Sequence, residues 1–216
     1  TGRWSHWSVP IQFVAGEPAV AGIRTDLRVT ELMYNPPHVP GDAFADNEEY
    51  EFIELKHIGD EMLDLSGVAL TDGVTFDFAD GGIVTLEPGG FVLVVRNESA
   101  FLSRYGTDLA PLIAGEYGGK LANGGENVKL VDSWAGTIAE FQYSDGTDWP
   151  IKADGAGHSL VPVDPANLAA TRDALDDPGN WRASTHVGGS PGADDPETET
   201  AQVDLAVTAS TWVRSQ

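Results

Sequence analysis

Short apolar runs, each closed by turn-forming residues, constrain the fold of this chain more than any other sequence feature. The runs are rich in Val, Ile, Leu and Phe, and Gly, Pro, Asn or Asp follows each of them. They occupy residues 27–34, 50–57, 68–70, 74–78, 83–86, 91–95, 128–132, 138–143 and 158–163. Strands this short and this regularly interrupted are typical of a β-sandwich and not of βαβ units. The sequence therefore predicts an all-β protein.

Two segments have a helical pattern. Residues 98–105 place Phe101, Leu102 and Tyr105 at helical spacing, and residues 167–175 resemble a polar surface turn of helix. Both segments are short, so we expect the packing of strands to provide the core.

The composition of the chain predicts one central domain between different ends. Residues 1–15 alternate like a strand, and residues 16–26 form a spacer rich in Gly, Pro and Ala that is predicted to be a linker. The domain itself is predicted over residues 27–193. An acidic linker (residues 194–202) and an extra strand or the start of a downstream domain (residues 203–216) follow. A lone strand cannot bury itself, so each terminal strand either pairs with this domain or belongs to a neighbouring one.

The charge excludes several classes of function. The chain has 34 acidic and 12 basic residues and a net charge of −22, and residues 27–192 carry −18 of it. Nucleic-acid binding requires Lys and Arg to neutralise phosphates, so we expect no nucleic-acid partner. An anionic membrane surface is disfavoured for the same reason. No apolar run approaches the roughly 20 residues that span a bilayer, so no membrane insertion is expected.

Cysteine is absent from the sequence. This excludes disulfides, thiol catalysis and zinc–thiolate sites. A strongly acidic surface suits salty or calcium-rich surroundings, which favours an extracellular or cell-surface location.

Six sequence blocks follow one another in a specific order: residues 29–36 (VTELMYNP), 51–57 (EFIELKH), 64–72 (DLSGVALTD), 121–132 (LANGGENVKLVD), Asn180-Trp181 and Ser190-Pro191-Gly192. Blocks of this kind in this order resemble the lamin tail domain family, in particular its secreted bacterial branch. The resemblance implies an immunoglobulin-like β-sandwich. His57 stands where the family usually has Asn. Residues 1–15 are similar to the last strand of a fibronectin type III-like domain, and together these resemblances imply a multidomain extracellular bacterial protein.

The alternation within the second block predicts which side chains share a face. A strand with period two sends Ile53 and Leu55 to one face and Phe52, Glu54 and Lys56 to the other. A half-buried Glu54 needs a partner, and we expect a cross-strand Lys or backbone donors to provide it.

Two motifs of turn-forming residues predict where a strand ends and where the chain reverses. Asn35-Pro36-Pro37 should end the first strand, because proline fixes φ and offers no donor to the ladder. Residues 123–125 (NGG) should supply positive-φ residues for a tight reversal between Leu121 and Val128.

The sequence predicts no catalytic residues. The five histidines are scattered, and none has metal-ligand spacing with another. Asp154, His158 and Ser159 suggest a base and a nucleophile, but the G-x-S-x-G elbow is absent. Adjacent side chains on a strand also point to opposite faces. With 34 acids, a plausible carboxylate pair always exists and carries no signal.

Calcium is the one cofactor that the sequence suggests, because Asp residues recur on Gly-rich turns where backbone carbonyls are also available as oxygen ligands. Three acidic groups have this character, and the first two are the stronger candidates: Asp72, Asp77 and Asp80; Asp145 and Asp148; and Asp42, Asp46, Glu48 and Glu49. Asp and Gly are also ordinary turn residues, so the alternative is a set of solvated turns.

The aromatic residues suggest a sugar-stacking platform as a second kind of site. Trp134, Trp149, Trp181 and Tyr143 are the candidates, although large aromatics more often fill a sandwich core. Trp181 is expected in the core, and Trp149 is the best candidate for an exposed, ligand-binding ring.

The function predicted from these patterns is a non-catalytic structural or interaction module of a large secreted or cell-surface bacterial protein. Its partners would be neighbouring domains of the same polypeptide, or a cell-surface protein or glycan. The alternative is a calcium-stabilised or carbohydrate-binding accessory module of an extracellular enzyme.

Overall fold

The computed structural model describes residues 20–196, so the strands predicted at 1–15 and 203–216 lie outside the described residues. Within this range there are twelve strands and three α-helices. The helices are α1 (Val20–Asp26), α2 (Glu98–Tyr105) and α3 (Arg172–Leu175). The strands are β1 (Leu27–Met33), β2 (Phe52–His57), β3 (Leu63–Asp64), β4 (Ala69–Asp72), β5 (Phe76–Asp77), β6 (Thr85–Leu86), β7 (Phe91–Val95), β8 (Ile113–Glu116), β9 (Asn127–Val131), β10 (Thr137–Gln142), β11 (Leu160–Pro162) and β12 (Trp181–Ala183).

Two sheets form the two layers of the fold, and a small third sheet lies beside them. The larger sheet has the order β12-β11-β1-β2-β7-β8, the second has the order β10-β9-β4-β5, and β3 pairs with β6. All pairings are antiparallel except β7 with β8, which is parallel. The prediction of an all-β, immunoglobulin-like β-sandwich is confirmed.

The alternation predicted for β2 determines where its side chains pack. Ile53 and Leu55 are fully buried in the main core between the sheets. Phe52 faces the opposite way and lies 5.4 Å, centroid to centroid, from Phe101 on α2. Helix α2 therefore covers part of the outer face of the large sheet, as the spacing of its apolar residues requires.

The segment that follows β12 crosses the outer face of the same sheet, and we call residues 188–196 the strap. Glu54 on β2 is 1% exposed and accepts a hydrogen bond from the backbone N–H of Gly192 at 2.6 Å. The hydroxyl of Thr30 on β1 donates to the other carboxyl oxygen at 2.7 Å. The expected backbone donor for Glu54 is thus present, and it comes from the strap.

The described parts of the two predicted linkers, residues 20–26 and 194–196, contact the domain. Residues 20–26, assigned to a linker, form α1, in which Ile23 is buried in the core and Arg24 pairs with Asp132. At the other end, Asp194 pairs with Lys56 on β2. A composition rich in Gly, Ala and Asp resembles a linker, but tertiary contacts override this weak local preference.

The helix suggested over residues 167–175 is confined to Arg172–Leu175, and it lies beside an edge strand. Leu175 is buried, and the carboxylate of Asp176, directly after the helix, accepts a hydrogen bond from the backbone N–H of Gln142 on β10 at 2.7 Å. Asp176 therefore accepts a hydrogen bond from a backbone N–H group that points outward from the edge of the four-stranded sheet.

The turn at residues 123–125 has one of the expected positive-φ residues. Gly125 has φ of 101° and donates its N–H to the carbonyl of Ala122 at 3.0 Å. Gly124 does not share this conformation.

Across residues 20–196, the helices are too short and too polar to traverse a lipid bilayer.

Candidate interaction surface

Two carboxylates of the first acidic group, those of Asp72 and Asp77, accept hydrogen bonds from nearby turn residues. The carboxylate of Asp72 accepts hydrogen bonds from the side chain of Asn127 at 2.8 Å and from the backbone N–H of Gly73 at 3.0 Å. The bond from Asn127 is the main cause that lowers the pKa of Asp72. Asp77 caps a short 3-10 turn by accepting from the N–H of Ala79 at 2.9 Å. Both carboxylates act here as turn caps.

The other candidate ligands are not assembled into a metal site. Asp80, Asp145 and Asp148 are exposed. Within residues 20–196, no three acidic or histidine side chains converge in a way that could hold a metal ion. Calcium binding at these five aspartates remains a prediction.

The third acidic group is engaged by basic side chains. Asp42 pairs with Arg104, and Glu48 lies 3.2 Å from Arg96 and 2.9 Å from Lys120. Ten of the twelve Lys and Arg residues lie within residues 20–196, and eight of these ten form ion pairs. The described surface therefore has a large excess of unpaired acid over unpaired base.

His158 and Ser159 are held in separate structural roles. The Nδ1 atom of His158 lies 2.7 Å from the carbonyl of Ser184, and since a carbonyl only accepts, Nδ1 carries the proton. Ser159 is fully buried and its hydroxyl donates to Glu31 at 2.5 Å. A nucleophile must be accessible and hydrogen-bonded to its base, and this pair has neither property.

The exposure of the aromatic residues differs from the sequence-based interpretation. Trp181 and Tyr143 are buried in the core, as was expected for Trp181. Trp149, the candidate for an exposed ring, is only partly exposed and packs on the core 6.1 Å from Trp181. Trp134 is instead the exposed indole, with 72% of its surface accessible. The loop that carries Trp149 places this ring against the core, whereas Trp134 lies in the short turn between β9 and β10 with its ring exposed.

The residue before Trp134, Ser133, lines a cavity that Ile23 of α1 also lines. The cavity has a volume of about 250 Å³, and Ser133, Ile23 and Met62 are among its lining residues. Met62 is 59% exposed although its side chain is fully apolar. We call the cavity together with Met62 and Trp134 the Trp134 surface. Exposed apolar groups that collect around a concavity mark interaction sites more often than isolated exposed residues do.

Two ionised carboxylates line the cavity of the Trp134 surface, and of these Asp132 is paired with Arg24 whereas Asp64 forms no ion pair among the described residues. Asp64 accepts a hydrogen bond from the N–H of Ser66 at 2.9 Å, and the bonds from Ser66 lower its pKa. Asp132 accepts a hydrogen bond from Arg24, which is the main cause that lowers its pKa, and another from the N–H of Trp134 at 2.8 Å. Both groups line the cavity and are ionised at neutral pH. The surface thus combines apolar side chains with fixed negative charge.

Comparison with protein families matches residues 23–145, more than half of the chain, to the Lamin Tail Domain. This chain belongs to the lamin tail domain family. The family is a non-enzymatic, immunoglobulin-like domain that serves in interactions. Comparisons of this lamin tail domain with curated proteins and with solved structures gave no match.

Part of the matched sequence builds the Trp134 surface of this lamin tail domain. Asp64, Ser66 and Gly67 line the cavity. A Cβ atom at Gly67 would lie 2.6 Å from the Cβ of Ser133, so only glycine lets the two turns approach this closely.

Sequence reasoning did not single out Met62, and it ranked Trp134 below Trp149. One available signal was the position of Trp134 in a short turn between two predicted strands, where burial is difficult.

Proposed function

We propose that this chain is a non-catalytic interaction module of a large secreted or cell-surface bacterial protein. It uses the Trp134 surface to contact a protein partner, either a neighbouring domain of the same polypeptide or another cell-surface protein. The observation that carries the proposal is the 72% exposed indole of Trp134, whose neighbour in sequence, Ser133, lines a cavity together with Ile23 and Met62. An exposed indole leaves a large apolar surface in contact with water, and tryptophan is enriched among the residues that dominate binding energy.

The charge distribution supports a protein partner over a nucleic acid. Most described Lys and Arg side chains are already paired with acids, which leaves no basic patch to track phosphates. The acidic surface also supports an extracellular location, because a high net charge keeps a protein soluble at high ionic strength.

A site-specific photo-crosslinker tests this proposal in the native host. The crosslinking residue replaces Trp134 in one variant and Ile151 in a matched control. Ile151 is similarly exposed, at 76%, but neither it nor an adjacent residue lines the cavity, whereas Ser133, next to Trp134, does. We expect a discrete polypeptide adduct from position 134 and none from position 151. Equal adducts from both positions, or none from position 134, would contradict the use of this surface.

A second candidate function is carbohydrate binding, since the exposed face of Trp134 is a suitable stacking platform for a sugar ring. It corresponds to the accessory-module alternative, with Trp134 in place of Trp149. Binding to a glycan array that is lost in Trp134→Ala and retained in Trp149→Phe would support it. An array without signal for the unmodified chain would rule it out.

A further inference from the structure

The strap is attached to the large sheet through two buried carboxyl groups. Glu31 on β1 accepts the backbone N–H of Ser190 at 3.1 and 3.2 Å, one distance for each carboxyl oxygen. Glu54 on β2 accepts the N–H of Gly192 at 2.6 Å. Backbone N–H groups of the strap therefore attach it to the sheet, and glutamate side chains of the sheet accept all of these hydrogen bonds.

The two glutamates are neighbours in the sheet and have almost no contact with water. Glu31 and Glu54 are partners in the register between β1 and β2, and each is 1% exposed. Their remaining hydrogen bonds come from the hydroxyls of Ser159, at 2.5 Å from Glu31, and Thr30, at 2.7 Å from Glu54. Two carboxylates this close and this dry cannot both ionise without a large cost.

The strap brings two more carboxylates within electrostatic range of this pair: the charge of Asp195 raises the pKa of Glu31, and that of Asp194 raises the pKa of Glu54. Asp194 lies 2.5 Å from Lys56 on β2. Asp195 pairs with Arg182 on β12 and accepts the hydroxyl of Ser190 at 2.8 Å. When every group is ionised, four negative charges face two positive ones. Tyr105 on α2 also lies within range of Glu31: burial is the main cause that raises the pKa of its hydroxyl, and the charge of Glu31 raises it further.

The strap passes directly over Glu31, yet an open space remains beside the contact. Gly189 has φ of +78°, and a Cβ atom there would overlap the carboxyl of Glu31. A cavity of about 320 Å³ extends from Glu31 and Glu54 to Asp194 and Asp195 at the end of the strap. Water has a short path to both glutamates as soon as the strap moves.

We propose that the strap is a pH-sensitive latch, which stays closed on the sheet in mildly acidic solution and opens as Glu31 and Glu54 both become ionised. Opening separates Asp194 and Asp195 from the two glutamates and lets water solvate all four carboxylates. It also uncovers the polar outer face of β1 and β2. This inference goes beyond the proposed interaction function, because it concerns a face of the domain other than the Trp134 surface.

The direction of the pH dependence follows from the proton affinities. Burial raises the pKa of Glu31 to about 8, with repulsion from Glu54 as the next cause. Burial likewise raises the pKa of Glu54 to about 7. With the strap open, both groups return toward ordinary carboxyl values, so the closed form binds more protons. The equilibrium constant for closing is therefore highest at a pH below the ordinary pKa range of carboxyl groups. As the pH rises from there toward the closed-state pKa of each glutamate, that glutamate lowers the constant about tenfold per pH unit.

Amide hydrogen exchange measured by NMR on the full chain tests the latch. We expect the protection of the Ser190 and Gly192 amides, corrected for intrinsic exchange, to fall at least about tenfold between pH 6 and pH 8.5. Amides of β1 and β2 should keep their protection over this range. The double variant Glu31→Gln/Glu54→Gln should lose the pH dependence, because glutamine retains an acceptor oxygen and does not titrate.

Glu51→Gln is the matched control. Glu51 is fully buried, and burial raises its pKa to about 7, but it accepts the N–H of Leu121 and does not touch the strap. This variant should retain the pH dependence at Ser190 and Gly192. If the double variant does not fold, Glu54→Gln alone should reduce the pH dependence. Protection that is equal at both pH values, or that is lost equally in β1 and β2, would overturn the proposal.

Discussion

Arg24 donates a hydrogen bond to the carboxylate of Asp132 and thereby joins helix α1 to the turn between β9 and β10. The side chain of Asp132 is 1% exposed, and its second oxygen accepts the backbone N–H groups of Trp134 and Gly136. A single carboxylate thus organises the turn that displays Trp134 and also anchors the helix before β1.

Replacing Arg24 with Ala should destabilise the domain, because a carboxylate with little exposure loses its charge partner. Thermal unfolding followed by circular dichroism measures the effect. Lys120→Ala is the control, since Lys120 is 56% exposed and pairs at the surface with Glu48. We expect the melting temperature to fall clearly more for Arg24→Ala than for Lys120→Ala. Equal melting temperatures for the two variants would show that the Arg24 pair contributes no more than a surface ion pair.

The imidazole of His57 is fully buried, and among the described residues neither ring nitrogen has a hydrogen-bond partner. His57→Leu should therefore raise the free energy of unfolding by about 1 kcal/mol, because it removes an unsatisfied buried polar group. Urea denaturation gives the value. His158→Leu should do the opposite, since it removes the bond to Ser184. A loss of stability in His57→Leu would indicate that the imidazole has a partner.

Gly125 is required by the turn before β9. Its φ of 101° is unfavourable for other residues, and a Cβ atom there would overlap the carbonyl oxygen of Tyr143. Gly125→Ala should lower the free energy of unfolding by at least about 2 kcal/mol. Gly124→Ala is the neighbouring control, because its Cβ would meet open space, and we expect a change within about 0.5 kcal/mol. The order of the two effects would be reversed if the turn had another conformation.

Among the described residues, Trp149 and Trp134 should respond differently to truncation. Trp149→Ala should cost about 2 kcal/mol, less than a fully buried tryptophan, because its ring packs on the core beside Trp181. Trp134→Ala should leave stability within about 0.5 kcal/mol of the original value. Chemical denaturation of both variants distinguishes the structural ring from the displayed one. A large loss in Trp134→Ala would mean that this indole is part of the packing.

Calcium should have little effect on stability. The described acidic side chains do not converge in threes, and Asp72 is already bonded to Asn127. We expect the same melting temperature in millimolar calcium and in a chelator. A calcium-dependent rise that disappears in Asp145→Asn/Asp148→Asn would instead support the site predicted from the sequence.

The elements that the sequence located well are those with a strong local pattern. The apolar run at residues 91–95 coincides with β7, and the spacing at residues 98–105 coincides with α2. Strands β3 and β12 were not found, because two or three residues are too few to show a period. Strand β8 was also missed, because Gly115 weakens its apolar pattern. Its partner β7 runs parallel to it and is separated from it in the chain by helix α2, so no hairpin motif marks the pair.

The candidate site could be predicted less well than the fold, since exposure depends on tertiary packing. The turn that holds Trp134 was implied by its flanking strands, but its exposure relative to Trp149 depends on how the seventeen-residue connection between β10 and β11 (residues 143–159) returns to the core. The buried partners of Glu31 could not be read locally either, because Ser190 lies 159 positions along the chain.

The hydrogen bond from the backbone N–H of Gln142 to Asp176 affects whether another chain can pair with the open edge of β10. An open sheet edge invites another chain to add a strand, which is both a binding mode and a route to fibrils. Strand β10 is the longest edge strand of the described sheets, and the end of α3 already occupies one of its free backbone donors. Another strand could pair with β10 at this position only by displacing the carboxylate of Asp176 from the backbone N–H of Gln142. A domain of this family that exposes its longest edge strand thus carries a side chain that competes with strand addition at this edge.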